Sequence, residues 1–278
     1  MRAELLQQVR RVVVKVGSRV LTLDDGSLDL LVISRLVNEI FALRCRGIEV
    51  ILVSSGAVAA GKGALHYKEQ QPLTIPQKQA AAAVGQPLLM QAYQQAAAPH
   101  NLVTAQILLT ADDLAHRSRF LNARATLETL LAAKALPIIN ENDAVATDEI
   151  RVGDNDNLSA LVANLVEADL LVLLTDMPGL FTADPRVCPD AQLIGEVPCI
   201  DDKTYALAGG SRSGLGTGGM LTKVQAAELA TRGGTDVVVA AGNVPDVLPR
   251  LVAGERLGTF FAAASDRLEG RKRWIWAE

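Results

Sequence analysis

The sequence has little of what several functional classes require. Aromatic residues make up only 4% of the 278 residues, too few for the stacking platforms of proteins that bind single-stranded nucleic acid. The formal net charge is −4, whereas domains that bind nucleic acid are usually clearly basic. The three histidines, His66, His100 and His116, lack the spacing of metal ligands. We therefore expect neither a nucleic-acid partner nor a histidine metal centre.

Cysteine and long apolar runs are scarce as well. Cys45, Cys188 and Cys199 form no C-x-x-C pair, and their odd number fits a reducing compartment better than a disulfide framework. The longest apolar runs, such as residues 170–174, are far shorter than the roughly 20 residues of a membrane helix. Residues 1–11 are too polar for the core of a signal peptide. We expect a cytoplasmic protein with no membrane partner.

Strand patterns alternate with helix patterns along the chain. Several β-branched runs are continuously apolar, which is typical of strands covered on both faces in a parallel sheet. Strands are predicted at residues 11–16, 49–53, 103–108, 136–139, 170–174, 236–240 and 259–262. Helices are predicted at residues 30–45, 77–97, 120–133, 158–167, 220–230 and 247–252. This alternation predicts an α/β fold, a three-layer αβα sandwich with a mainly parallel central sheet.

A polar or glycine-rich cluster follows five of the predicted strands. In open α/β sheets, ligands bind beyond the carboxyl ends of the strands, so these clusters mark a candidate site. The clusters are Lys15-Val16-Gly17-Ser18, Ser54-Ser55-Gly56, Asn140-Glu141-Asn142-Asp143, Thr175-Asp176 and Gly242-Asn243.

Two lysines are candidates for binding phosphate. Lys15 interrupts a strand that otherwise looks buried, and a buried lysine is costly unless an anion meets it. A lysine that extends its charged end to solvent remains the alternative. Lys223 follows a glycine-rich loop at the start of the predicted helix from Met220, where backbone amides can hold phosphate. A lysine there opposes the helix dipole, so phosphate binding is favoured over chance placement.

Three other motifs are less specific. Gly214-x-Gly216-x-x-Gly219 matches the dinucleotide-binding pattern only literally, because no strand precedes it. Ser54-Ser55-Gly56-Ala57 could be a helix cap and is not a nucleophile elbow. Gly153-Asp154-Asn155-Asp156-Asn157 has more Asp and Asn than a cap needs, but it fails as a calcium loop.

This inventory suits phosphoryl transfer, in which the protein mainly positions groups and stabilises charge. A carboxylate acceptor is already ionised at pH 7, so it requires no general base.

Several of these motifs are similar to those of a known protein family. The sequence resembles the glutamate 5-kinase family of the amino acid kinase superfamily in Val14-Lys15-Val16-Gly17-Ser18, Ser54-Ser55-Gly56-Ala57, Ile139-Asn140-Glu141-Asn142-Asp143-Ala144-Val145, Val152–Ala160 and Gly214–Met220.

The resemblance implies ATP-dependent formation of glutamyl 5-phosphate, the first step towards proline, with Mg²⁺ carried by ATP and no metal ligand in the protein. It implies that Lys15 and Lys223 neutralise the transferred phosphoryl group and that Asp156 holds both lysines. The implied glutamate-binding residues are Ser55, Asn140, Asp143 and Asn155. The implied ATP-binding residues are Lys15, Thr175, Asp176, Thr217, Gly218, Gly219, Met220, Leu221, Thr222 and Lys223.

The resemblance also bears on domains and partners. We expect one kinase domain over residues 1–278, compatible with a glutamate-binding lobe at 1–168 and an ATP-binding lobe at 169–265. Many family members continue into a C-terminal PUA domain, which is not expected here. A homo-oligomer, a dimer or tetramer inhibited by proline, is implied.

The residues leave other functions open. The same superfamily includes acetylglutamate kinase, carbamate kinase and uridylate kinase. The discriminating feature is the acceptor, because free glutamate has an ammonium group that needs a carboxylate such as Asp143, whereas an acylated amine does not. A non-catalytic amino-acid sensor would be expected to lack a phosphate lysine, yet Lys15 and Lys223 are both present.

Overall fold

The computed structural model describes residues 2–23, 25–67, 72–145, 154–210 and 219–263. The helices are α1 (Arg2–Gln7), α2 (Ser18–Leu21), α3 (Leu30–Cys45), α4 (Ala57–Ala64), α5 (Ile75–Ala97), α6 (Ala111–Ala115), α7 (Arg117–Ala132), α8 (Asp154–Leu165), α9 (Asp202–Leu207), α10 (Met220–Arg232) and α11 (Val247–Val252). The strands are β1 (Arg11–Val16), β2 (Glu49–Ser54), β3 (Thr104–Leu109), β4 (Leu136–Glu141), β5 (Leu170–Thr175), β6 (Glu196–Val197), β7 (Asp236–Ala241) and β8 (Thr259–Phe261).

The eight strands form one sheet in the order β3-β4-β2-β1-β5-β7-β8-β6. The pairs β2–β4, β3–β4, β5–β7 and β6–β8 are parallel, and β7–β8 is antiparallel. Every residue of β5 is buried, and in β1, β2 and β7 only the first residue is not. Such continuous burial requires cover on both faces of the sheet. The predicted α/β fold with a mainly parallel sheet is confirmed.

The chain divides into two compact units. Unit one comprises Met1–Lys15 and Val152–Glu278, and unit two comprises Val16–Arg151. Unit one contains α1, β1 as far as Lys15, α8–α11 and β5–β8, whereas unit two contains α2–α7 and β2–β4. The assignment of glutamate to residues 1–168 and of ATP to residues 169–265 stays a prediction.

In unit two, helices α4 and α5 pack so closely that their backbones are in contact. A Cβ atom at Gly61 would lie 1.7 Å from the carbonyl oxygen of Ala81, and one at Gly85 would lie 1.8 Å from that of Ala57. Only glycine fits at either position. The crossing fixes α5 against α4, which begins directly after Ser55 and Gly56.

The predicted helix boundaries are confirmed only in part, since α7 and α8 begin three and four residues before the predicted positions 120 and 158. Helices α3 and α11 have the predicted limits, while α5 begins two residues early because a capping box between Thr74 and Gln77 starts it there. The prediction missed α1, α2, α4, α6, α9 and β6, which have at most eight residues and so show too little periodicity. No helix in the part of the chain that the structure describes has the length and hydropathy to cross a membrane.

Candidate active site

Unit one brings together three buried charged side chains from three elements. Lys15 lies near the end of β1, Asp156 in the first turn of α8 and Lys223 in the first turn of α10. The Lys15 Nζ lies 2.5 Å from Asp156 Oδ1, and the Lys223 Nζ lies 3.2 Å from Asp156 Oδ2. The exposed fractions of Lys15, Asp156 and Lys223 are 5%, 0% and 8%. The structure thus places Asp156 between the two lysines, and the role of all three in phosphoryl transfer stays a prediction.

The charges of this cluster do not cancel, because two ammonium groups face one carboxylate. Burial opposes ionisation of Asp156, but the neighbouring Lys15 and Lys223 ammonium groups outweigh it and hold the pKa of Asp156 below its ordinary value. Burial lowers the pKa of Lys15. The negative charge of Asp156 opposes this shift, and the positive charge of Lys223 adds to it. An ionised cluster carries one excess positive charge in a dry environment, which an anion such as a phosphoryl group would neutralise.

Thr222 also belongs to this cluster, although the resemblance implied only that it binds ATP. Its hydroxyl donates to Asp156 Oδ2 at 2.8 Å and also lies 3.0 Å from the carbonyl oxygen of Gly219. The Lys223 Nζ reaches the same Gly219 oxygen at 3.2 Å. Gly219 has φ 83°, a left-handed conformation that favours glycine. The sequence signal for this role was a threonine directly before the phosphate lysine.

The residues expected to bind ATP are described in part. Thr175 is buried at the end of β5, and its hydroxyl donates to Asp176 Oδ1 at 2.9 Å, while Asp176 is exposed. Met220 and Leu221 lie half-buried in the first turn of α10. Thr217 and Gly218 lie outside the described residues. ATP binding by these residues, Thr222 included, stays a prediction.

Unit two holds three of the four residues expected to bind glutamate. Strands β2 and β4 pair in parallel with Val53 beside Ile139, so Ser55 and Asn140 follow at the carboxyl ends of neighbouring strands. Asn140 is buried, and Asp143 lies half-buried in the turn after β4. The fourth residue, Asn155, belongs to unit one and lies half-buried on α8 beside Asp156.

The described residues do not form a metal site of their own. No group of three or more His, Cys, Asp or Glu side chains is close enough there to hold a metal ion. Asp156 is already engaged by Lys15, Lys223 and Thr222. A protein-held Mg²⁺ does not fit this donor set.

Comparison with known proteins identifies the family of this chain. The profile described as the amino acid kinase family matches residues 10–241. The chain belongs to the amino acid kinase family. The glutamate 5-kinase of Trichlorobacter lovleyi is 63% identical over 275 residues, covering 99% of this chain and 73% of that protein. The glutamate 5-kinase of Deinococcus radiodurans is 56% identical over 268 residues, covering 96% and 74%.

Solved structures show that the amino acid kinase fold is shared more widely. UMP kinase from Bacillus anthracis superimposes with a TM-score of 0.64 at 16% identity, covering 92% of this chain and 97% of that one. The isopentenyl phosphate kinase of T. acidophilum has a TM-score of 0.58 at 18% identity, covering 90% and 99%. At such low identity these two structures bear on the fold alone.

Proposed function

We propose that this chain transfers the γ-phosphoryl group of ATP to the γ-carboxylate of L-glutamate, which yields glutamyl 5-phosphate and ADP, the first step of proline biosynthesis. The observation that carries this proposal is the buried Lys15–Asp156–Lys223 cluster with its excess positive charge. The relatives named glutamate 5-kinase, at 63% and 56% identity, support glutamate as the acceptor.

The lysines act on the group in transfer. A glutamate carboxylate oxygen forms a bond to the γ-phosphorus while the bond from that phosphorus to the ADP oxygen breaks. Lys15 and Lys223 stabilise the negative charge on the phosphoryl oxygens, and Asp156 holds both ammonium groups in place. Thr222 positions Asp156 through its hydrogen bond to Oδ2. No general base is needed, since the acceptor is ionised at pH 7.

Recognition of the acceptor rests on Asp143, which we assign to the α-ammonium of glutamate. Ser55, Asn140 and Asn155 supply polar groups for the rest of the molecule. ATP contacts Thr175, Asp176 and the segment from residue 217 to Lys223. We propose that Mg²⁺ arrives bound to the phosphates of ATP, since the described residues form no cluster of metal-ligating side chains. We propose that this reaction takes place in the cytoplasm.

Hydroxylamine trapping tests the proposed function directly. An acyl phosphate reacts with hydroxylamine to give a hydroxamate, so the protein with ATP, Mg²⁺ and glutamate should yield glutamyl hydroxamate. N-acetylglutamate should be inert, because its acylated nitrogen carries no charge to pair with Asp143. Turnover of N-acetylglutamate, carbamate or UMP in place of glutamate would assign the chain to another branch of the amino acid kinase family.

Proline is the proposed inhibitor of a homo-oligomeric enzyme. It keeps the α-carboxylate and the amine of glutamate in cyclised form, so it can occupy part of the same pocket. We expect added proline to raise the apparent KM for glutamate in the hydroxamate assay and to leave kcat unchanged. Inhibition that saturating glutamate does not relieve would contradict a shared pocket, and sedimentation of the protein would measure its oligomeric state.

A further inference from the structure

Helix α5 presents two buried polar side chains on one face. Gln86 and Tyr93 are seven residues apart, which is about two helical turns. The Tyr93 hydroxyl lies 2.8 Å from Ser54 Oγ, and Gln86 Oε1 accepts from Asn140 Nδ2 at 2.8 Å. Ser54 and Asn140 are the next residues after the parallel pair of Val53 and Ile139 on strands β2 and β4. One face of α5 therefore holds the carboxyl ends of both strands.

The orientation of the Gln86 amide follows from its neighbours. The backbone N–H of Glu141 donates to Asn140 Oδ1 at 2.9 Å. Because that N–H can only donate, the Nδ2 of Asn140 must face Gln86, and Gln86 must meet it with its oxygen. The Gln86 Nε2 is left buried and has no hydrogen-bond partner among the residues that the structure describes.

An unpaired buried donor lowers stability, so packing alone does not explain a glutamine at this position. Gln86 is 7% exposed and Asn140 is 2% exposed, so the bond between them is shielded from water. A methionine would fill a similar volume without the unpaired donor. The feature that glutamine adds is an acceptor for the Asn140 amide.

The position of α5 is itself fixed. Gly85, next to Gln86, lies against the backbone of α4 so closely that a Cβ atom would be 1.8 Å from the carbonyl oxygen of Ala57. Helix α4 begins directly after Ser55 and Gly56. The helix that carries Gln86 is thus tied to the same loop that carries one of the proposed glutamate ligands.

We propose that Gln86 is a positioning residue of the acceptor site, which orients the Asn140 side chain and, through it, the end of β4. From there the chain runs through Glu141 to the turn that contains Asp143. This inference rests on the proposed function, because it concerns the binding of glutamate. Gln86 itself is buried and acts through Asn140.

Three variants test this role in steady-state kinetics. Gln86→Met removes the acceptor and should raise the KM for glutamate about tenfold, with the KM for ATP within twofold and the Tm nearly unchanged. Gln86→Glu keeps an oxygen for Asn140 Nδ2 and should return the glutamate KM to within about threefold of the unaltered protein. Gln94→Met, an exposed position on the same helix, is the matched control and should change neither KM.

A double-mutant cycle tests whether Gln86 acts through Asn140. The Gln86→Met and Asn140→Ala double variant should have the glutamate KM of Asn140→Ala alone, since a positioning residue has no effect once the residue it positions is gone. Additive increases would overturn the proposal. Equal increases of the glutamate KM in Gln86→Met and Gln86→Glu would overturn the proposal too. So would a lower Tm of Gln86→Met together with raised KM values for both glutamate and ATP. Hydroxamate formation by the unaltered protein tests the proposed function by itself. The role of Gln86 is tested separately, by the ratio of the glutamate KM of each variant to that of the unaltered protein.

Discussion

Replacement of Lys223 by methionine is expected to lower kcat for acyl phosphate formation by about 10²–10³-fold, the usual effect of removing one transition-state donor. Lys223 is buried, and its ammonium group lies 3.2 Å from Asp156 Oδ2. Methionine retains the apolar stem, so packing is preserved. Lys15 and Asp156 remain as a pair of opposite charges, so the charge left behind is balanced. We expect the Tm to change little while the chemical step fails.

Two further variants separate catalysis from folding at this cluster. Asp156→Asn should abolish activity and also lower stability, by about 3–5 kcal/mol, because it leaves the Lys15 and Lys223 ammonium groups buried without a counter-charge. Lys203→Met removes an exposed lysine of α9 in the same unit and should leave both kcat and Tm unchanged. The measurements are kcat from the hydroxamate assay and Tm from calorimetry. A Lys223→Met protein with near-normal kcat would remove Lys223 from the catalytic set.

Replacement of Asp143 by alanine is expected to raise the KM for glutamate steeply and to leave the KM for ATP within a few-fold. Loss of one partner of a buried charge pair costs about 2–5 kcal/mol, or roughly 30-fold to several thousand-fold in affinity. Asp143 is half-buried in the turn after β4, so solvent screens part of the attraction. We therefore expect an effect near the lower end, about 30-fold.

The control for Asp143 is Asp112→Asn, which removes an exposed carboxylate from α6 in the same unit. It should leave the glutamate KM unchanged. Isothermal titration with glutamate measures binding without turnover and should show the same loss for Asp143→Ala. If glutamate bound Asp143→Ala as tightly as it binds the unaltered protein, the α-ammonium would have another partner.

Local patterns were sufficient for the elements that show them over several residues. Strand β5 could be predicted because six consecutive apolar or β-branched residues leave no polar face. Helix α3 could be predicted because its apolar spacing extends over 16 residues. Helix α4 could not, because it has only eight residues and contains Gly61 and Gly63. Those glycines weaken the helix pattern, and Gly61 is required only by contact with α5.

In the candidate site, too, some features could be predicted from local sequence and others depend on tertiary contacts. The sequence by itself predicted that Lys15 and Lys223 bind phosphate, because a lysine inside a buried strand and a lysine after a glycine loop each favour an anion nearby. The role of Asp156 came from the family resemblance. Only the tertiary structure decided that Thr222 joins Asp156 and that Gln86 and Tyr93 hold Asn140 and Ser54. Gln86 is 54 residues from Asn140, and Thr222 is 66 residues from Asp156. Periodicity and motifs report the preferences of neighbouring residues, whereas contacts at such separations are fixed by how the helices and strands pack.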